Sequence, residues 1–272
     1  MQDREDRIVG VLLGLAAGDR IGGPVRMALR VAESLVDQRA LNMIDIGSRY
    51  LDWWRDGAFD TGPTVARVLT LVDSGASFAQ ASAQVDEDLG GMTAGCNPAH
   101  RLAPLAMCRW LDDPALDRAA IEESRLTHGH PLAGEVAAEV VRLCRALIRG
   151  TAWPAALRGV ADGCSPEIRR ALESAHAGEL SRGGFAPEVL RAAVHFVDSA
   201  DSLSAALVRS IDFAGPANYC PVLVGSIGGA RWGRRQIEDD LLQHHKLLIP
   251  RLTAAALDLA AGWRDPDARA VT

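Results

Sequence analysis

Residues 211–230 read IDFAGPANYCPVLVGSIGGA, and the way this stretch breaks decides how the chain is arranged. A helical run ends at Ala214-Gly215-Pro216, because glycine tolerates dihedrals a helix excludes and proline fits only a first helical turn. A second, apolar helix then begins near Ala217-Asn218-Tyr219, with unpaired backbone N–H groups at its start. Gly225, Ser226, Gly228, Gly229 and Ala230 let another backbone come close. The stretch predicts a buried central helix whose N-terminus faces a site.

Working outward, Ile8–Ala17 is apolar, and Gly10, Gly14 and Gly18 recur at four-residue spacing. On a helix that spacing gathers the glycines near one face. The order G-x-G-x-x-G and a preceding strand are both absent, so this is not a dinucleotide fingerprint. Further helices are predicted over Arg26–Asp37, Tyr50–Trp54, from about Pro63, over Ser77–Asp88, Leu132–Leu147, Val189–Val197 and Ser202–Asp212, and from about His244 to Trp263. Residues 150–186 carry scattered Gly and Pro and read as surface loops. No useful alternating strand pattern appears. The expectation is an all-α fold, one domain over residues 1–272.

Composition narrows the function classes. Apolar residues make up 48% and charged residues 24%, ordinary values for a globular chain. A net charge of -6 argues against a nucleic-acid backbone or an anionic membrane as partner. Lys246 is the only lysine. No run approaches the ~18 apolar residues of a membrane span, and no signal peptide is read at the charged N-terminus. Five cysteines, odd in number and without a C-x-x-C pair, argue against a disulfide framework or a zinc site. A cytoplasmic location and a small-molecule partner are expected; the oligomeric state is not legible.

Five segments carry a resemblance. GLAAGDRIGGP (14–24), DTGPT (60–64), the segment from Gly95 through Arg101 to Pro104, Thr127-His128 with Pro131 and Ala133, and AGPANY (214–219) stand in the order of the ADP-ribosylglycohydrolase motifs. The chain resembles that family from Ile8 to about Arg234. The resemblance implies an orthogonal helical bundle with a cleft among the loops near 19, 60, 97–101, 128 and 216–219. It also implies hydrolysis of a glycosidic bond in ADP-ribose conjugates, with two magnesium ions held between the loops usually written TDDT and GGDADT. Here the four aspartates of those loops align with Gly62, Pro63, Pro216 and Asn218, and a threonine aligns with Tyr219. Arg26 lies where a glutamate is common. Magnesium requires hard oxygen ligands, so the expectation is no cofactor and a lost metal pair.

Glycosidic cleavage needs a carboxylate near C1 and a proton source for a poor leaving group. Asp60 and His128 are the catalytic candidates. Asp19, Asp56, Asn97, His100, Arg101, Asn218 and Tyr219 are the substrate-binding candidates, Arg101 through a bidentate contact to phosphate or carboxylate. Each has a plainer reading. Asp19 and Asp60 suit helix caps, Arg101 suits a structural carboxylate, His128 suits a helix junction, and Tyr219 suits a plug in the old metal cavity. His244-His245 reads as solvated surface. Two functions therefore stay open: a metal-independent hydrolase of a ribosyl N-glycosidic bond in an ADP-ribosyl or nucleotide-derived substrate, and an inactive relative that binds a nucleotide or a protein.

Overall fold

A computed structural model describes residues 2–263; Met1 and residues 264–272, both inside the predicted domain span, lie outside the described residues. The described chain is all helical apart from one isolated bridge between Gly95 and Phe185. Its helices are α1 (Gln2–Gly18), α2 (Gly23–Gln38), α3 (Met43–Arg55), α4 (Pro63–Asp73), α5 (Phe78–Asp88), α6 (Asn97–Arg101), α7 (Asp113–Ser124), α8 (Pro131–Ile148), α9 (Trp153–Gly163), α10 (Pro166–Glu173), α11 (Ala186–Asp198), α12 (Leu203–Ala214), α13 (Tyr219–Trp232) and α14 (Ile249–Ala260). Short 3₁₀ turns cover Ala103–Met107, Arg234–Gln236 and Asp239–His245.

The helix foreseen in 211–230 is α13, and residues Cys220 to Ala230 within it are all buried. It runs antiparallel to α1, with α8, α11 and α12 packed on its other sides. The glycines set the distance between α1 and α13. A Cβ added to Gly225 would overlap the Gly14 carbonyl, one on Gly229 the Gly10 carbonyl, and one on Gly18 the Pro221 carbonyl. The two backbones are therefore in contact over three successive turns. Apolar side chains from α1, α2, α8, α11 and α13 fill one core around this crossing. A small satellite cluster (Val68, Val72, Ala81, Val85) joins α4 to α5.

Three predicted elements are corrected. Residues 150–186 are loops only in part: 174–185 are irregular, but Pro154 and Pro166 sit in the first turns of α9 and α10, where proline's fixed φ and missing N–H cost nothing. The C-terminal helix does not run from His244. Pro250 lies in the first turn of α14, and Asp239–His245 is a 3₁₀ segment before it. α3 is longer than the aromatic run suggested, because the Asn42 side chain accepts from Ile44 N and Asp45 N and starts the helix there.

Gly225→Ala should destabilise the fold by about 3 kcal/mol or more, because backbone rather than a side chain blocks the methyl. Gly159→Ala, in the exposed interior of α9 with open space around it, should stabilise by about 0.5–1 kcal/mol. Denaturant melts of the two variants check both; equal effects would remove the crossing's special role.

Candidate functional site

Because α1 ends beside the start of α13, the residue after α1 meets the residue before α13. Asp19 is buried, and its carboxylate accepts the N–H groups of Ile21, Gly22 and Val25 at 3.2, 2.8 and 2.8 Å, which caps α2. Asn218 completes the junction in both directions. Its Nδ2 donates to Asp19 Oδ1 at 2.6 Å, and its Oδ1 accepts the Arg20 N–H at 3.2 Å. The Arg20 guanidinium donates to the carbonyls of Gly215 and Ala217 and fixes the turn read as the break in 211–230. His245 is buried against this corner and donates from Nε2 to the Asp19 carbonyl, so it is not the solvated surface residue expected.

Asp60 faces the same corner from the loop before α4. Its Oδ2 accepts the Gly23 N–H at 3.2 Å, and it holds a left-handed backbone, φ 53. Such a conformation is uncommon for a residue with a side chain and costs about 1 kcal/mol or more. The carboxyl is half-buried, and its pKa is raised, first by burial and further by the charge of Asp19; the N–H of Gly23 and the Asn218 amide oppose that rise. Arg26 does not replace the usual glutamate with another acid. It donates to the Gly22 carbonyl and lies 4.8 Å over the Phe59 ring.

Next to this corner opens a cleft of about 140 Å³, lined by Thr61 to Val65, Gly95 to Asn97, His100, His128, Gly184 and Tyr219. Its lining carries hydroxyl, amide, imidazole and phenol groups and no carboxylate. His100 is buried, and its Nε2–H donates to the Tyr219 carbonyl at 2.9 Å. Burial lowers its pKa to about 4, so it is neutral under ordinary conditions. His128 is buried as well and held well below the usual imidazole range, chiefly by burial and then by the Arg101 charge. A neutral imidazole is a hydrogen-bond donor or acceptor rather than a strong acid.

Arg101 is corrected most clearly. It is fully buried, and the protein itself occupies its donors. Its Nε donates to both Glu123 oxygens at 2.8 and 3.1 Å, and its two terminal nitrogens donate to Asn97 Oδ1 at 3.1 Å and Thr127 Oγ1 at 2.9 Å. Tyr50 closes the other side, with its hydroxyl donating to Glu123 and its ring 5.3 Å from the guanidinium. Asn97 Nδ2 then donates to the Thr61 carbonyl at 3.0 Å. Arg101 therefore frames the cleft from behind and offers nothing to a phosphate in it.

Of the candidates, the structure brings Asn97, His100, His128 and Tyr219 to the cleft and Asp60 to its edge. Asp19 and Asn218 lie in the junction beneath. Asp56 is exposed at the end of α3, outside the lining. Sequence reasoning missed Glu123, Tyr50, Arg20 and His245. The one signal for Glu123 was Arg101 itself, since a buried guanidinium demands a carboxylate, but nothing in the sequence says which.

Comparisons with known proteins bear on the family and the fold. The model of a family described as ADP-ribosylglycohydrolase matches residues 25–268. The ADP-ribosyl-(dinitrogen reductase) glycohydrolase of Rhodospirillum rubrum is 23% identical over 290 residues, which covers 90% of this chain and 92% of that protein. A solved structure described as an ADP-ribosylglycohydrolase-related protein complex superposes with a TM-score of 0.79 at 26% identity, covering 97% of this chain and 100% of that one.

The donor set here does not fit the two magnesium ions that such a fold suggests. Gly62, Pro63 and Pro216 have no side-chain oxygen, and both polar atoms of Asn218 are engaged with Asp19 and Arg20. Among the described residues no group of three or more His, Cys, Asp or Glu gathers as a metal would need. Asn218→Asp should lower stability at neutral pH by about 3 kcal/mol, because a carboxylate cannot donate to Asp19 and adds a buried like charge. The loss should shrink as pH falls into the carboxylate range, where a protonated Asp can donate again. Thermal melts across pH, with and without magnesium, check this; recovery by magnesium at neutral pH would mean the loops keep a latent cation site.

Proposed function

Because the chain belongs to the ADP-ribosylglycohydrolase family, we propose that it hydrolyses a ribosyl N-glycosidic bond in a nucleotide-derived substrate, using protein groups in place of a metal pair. The observation that carries this reading is Asp60. A half-buried carboxylate with a raised pKa and a strained backbone, next to the residue that opens the cleft, is the group best placed to act as a base. In the reaction Asp60 takes a proton from water as the water oxygen bonds to C1. The C1–N bond breaks, its electron pair leaves with the nitrogen, and the proton held by Asp60 passes to that nitrogen through water, or to solvent where the nitrogen leaves already neutral, which regenerates the carboxylate. The Tyr219 hydroxyl and the Nε2 of His128 are the groups available for hydrogen bonds to the sugar and its substituents, while Asn97 is engaged by Arg101 and the Thr61 carbonyl. His128 enters as a neutral partner, which replaces its expected role as a charged acid.

A cleft of about 140 Å³ suits one sugar ring rather than a whole dinucleotide, since sites for drug-sized ligands run to roughly 300–1,000 Å³. The rest of the substrate would lie toward the exposed Phe59 and Ile21. The Rhodospirillum rubrum relative acts on an ADP-ribosyl dinitrogen reductase by its name; a small metabolite is the substrate favoured here, on the size of the cleft. The second reading, a nucleotide binder without catalysis, has two observations in its favour: no carboxylate lines the cleft, and Asp60 is itself bonded to α2.

Incubation with ADP-ribosyl-arginine, NAD and simple N-ribosides, followed by mass spectrometry with and without chelator, separates these readings. Chelator-resistant release of a ribose product is expected. Release that collapses in chelator would overturn the metal-free reading, and no release with thermal stabilisation by ADP-ribose would favour the binder. Asp60→Asn should lower turnover by about a hundredfold or more with little change in binding. The same variant should melt higher than the parent at neutral pH. The folded state holds the Asp60 proton more tightly than the unfolded chain does, so ionisation draws stability away as pH rises through the carboxylate range. In acid, where both states are protonated, the advantage of asparagine should vanish. Unchanged turnover would remove Asp60 from the mechanism.

A further inference from the structure

We propose that Thr127 is a positioning residue that fixes His128 as the Nε2–H tautomer, so that this edge of the cleft accepts only a ligand atom with a free lone pair. The argument is a count of protons along one buried chain. Glu123, a carboxylate, accepts from Tyr50 and from Arg101 Nε. Arg101 has no acceptor of its own, so its contact with Thr127 Oγ1 at 2.9 Å is a donation to the hydroxyl. The hydroxyl has one proton, and its other contact is His128 Nδ1 at 2.8 Å. An Nδ1–H donating to the hydroxyl would leave the buried hydroxyl proton with no acceptor among the described contacts; directed to a bare Nδ1 the proton is paired, and the single ring proton of a neutral imidazole then resides on Nε2.

Arg101, Glu123 and Thr127 are each fully buried, and His128 nearly so, so water does not compete for these contacts. The ring nitrogen left over, Nε2, lies on the Gly95 side, where a Cβ on that glycine would stand 3.1 Å from it. Gly95 and His128 both line the cleft. Burial comes first and the Arg101 guanidinium next among the influences that disfavour a second ring proton, while the Glu123 carboxylate behind Arg101 is taken up by that guanidinium and by Tyr50. A fixed N–H donor at this edge suits a sugar hydroxyl, a carbonyl or a phosphate oxygen. It excludes a guanidinium or an ammonium, which have donors only. This selection rests on the proposed function, in which the cleft receives the ribosyl ligand; the tautomer does not.

The test is the nitrogen spectrum of the whole protein labelled with ¹⁵N-histidine, in which bare and protonated ring nitrogens are resolved. His128 should show a bare Nδ1 and a protonated Nε2, unchanged across the range where a free imidazole titrates. Thr127→Val should move the tautomer ratio by about fivefold toward Nδ1–H, the value of one ordinary hydrogen bond, and Thr127→Ser should restore it. An Nδ1–H ring in the parent protein overturns the proposal, as does a valine variant with an unmoved ratio. Should the valine variant not fold, the parent and serine spectra still decide the tautomer. Added ADP-ribose should move the Nε2 resonance and leave Nδ1 in place; bound ADP-ribose with Nε2 unmoved overturns the selection. Absence of ADP-ribose binding would count against the proposed function, while the tautomer would still be read from the unliganded spectrum.

Discussion

The rest of the structure depends on the backbone contact between α1 and α13. Two helices that meet through glycine carbonyls cannot rotate or slide past one another without a clash, because no side chain lies between them to readjust. The antiparallel register of Gly10 on Gly229, Gly14 on Gly225 and Gly18 on Pro221 continues by one step into the junction itself. There Asp19 and Asn218 meet because Gly18 and Pro221 already have. The corner that bears Asp60 is thus a consequence of packing far inside the core, and substitutions in α13 that touch no ligand should still move the cleft.

A second constraint lies behind the other wall. Burying Arg101 and Glu123 together carries a desolvation penalty that an apolar pair would avoid, and buried ion pairs are weak stabilisers for that reason. What the pair does here is geometric. One guanidinium fork holds Glu123 in α7, Asn97 in α6 and Thr127 before α8, and Asn97 passes the constraint to the Thr61 carbonyl. Three stretches distant in sequence, around 61, 97–101 and 123–127, are thereby set relative to each other through one planar group. Lysine, a single point charge without the fork, could not hold all of them.

Local signals made most of the fold legible in the sequence. The four-residue glycine spacing of α1, the Gly-Pro break at 215–216 and the apolar runs of α8 and α13 each follow from one window of residues. The misreadings around Pro154, Pro166 and Pro250 share a cause: a proline that starts a helix and one that ends a helix look alike until the neighbouring turn is known. At the site, Asp60, Asn97, His100, His128, Asn218 and Tyr219 could be nominated because their loops stand in a recognisable order. Their roles could not. Whether Asp19 caps or reacts, and whether Arg101 faces a ligand or Glu123, depends on partners that the fold brings from 22 to 199 residues away.

The altered loops also make sense together rather than singly. An aspartate at position 218 without a cation would place a third carboxylate beside Asp19 and Asp60, where the Asp19 charge already adds to the raised Asp60 pKa. Asparagine at that position keeps the acceptor for Arg20 and supplies a donor for Asp19, so the junction is neutralised by a hydrogen bond instead of an ion. On the facing loop, Gly62 adopts φ 76, a conformation that an aspartate would hold only under strain, and Pro63 starts α4 with no N–H to leave unpaired. The backbone of that loop has thus been shaped around residues that cannot ligate. Restoring a single carboxylate would meet an engaged amide on one side and a left-handed glycine on the other.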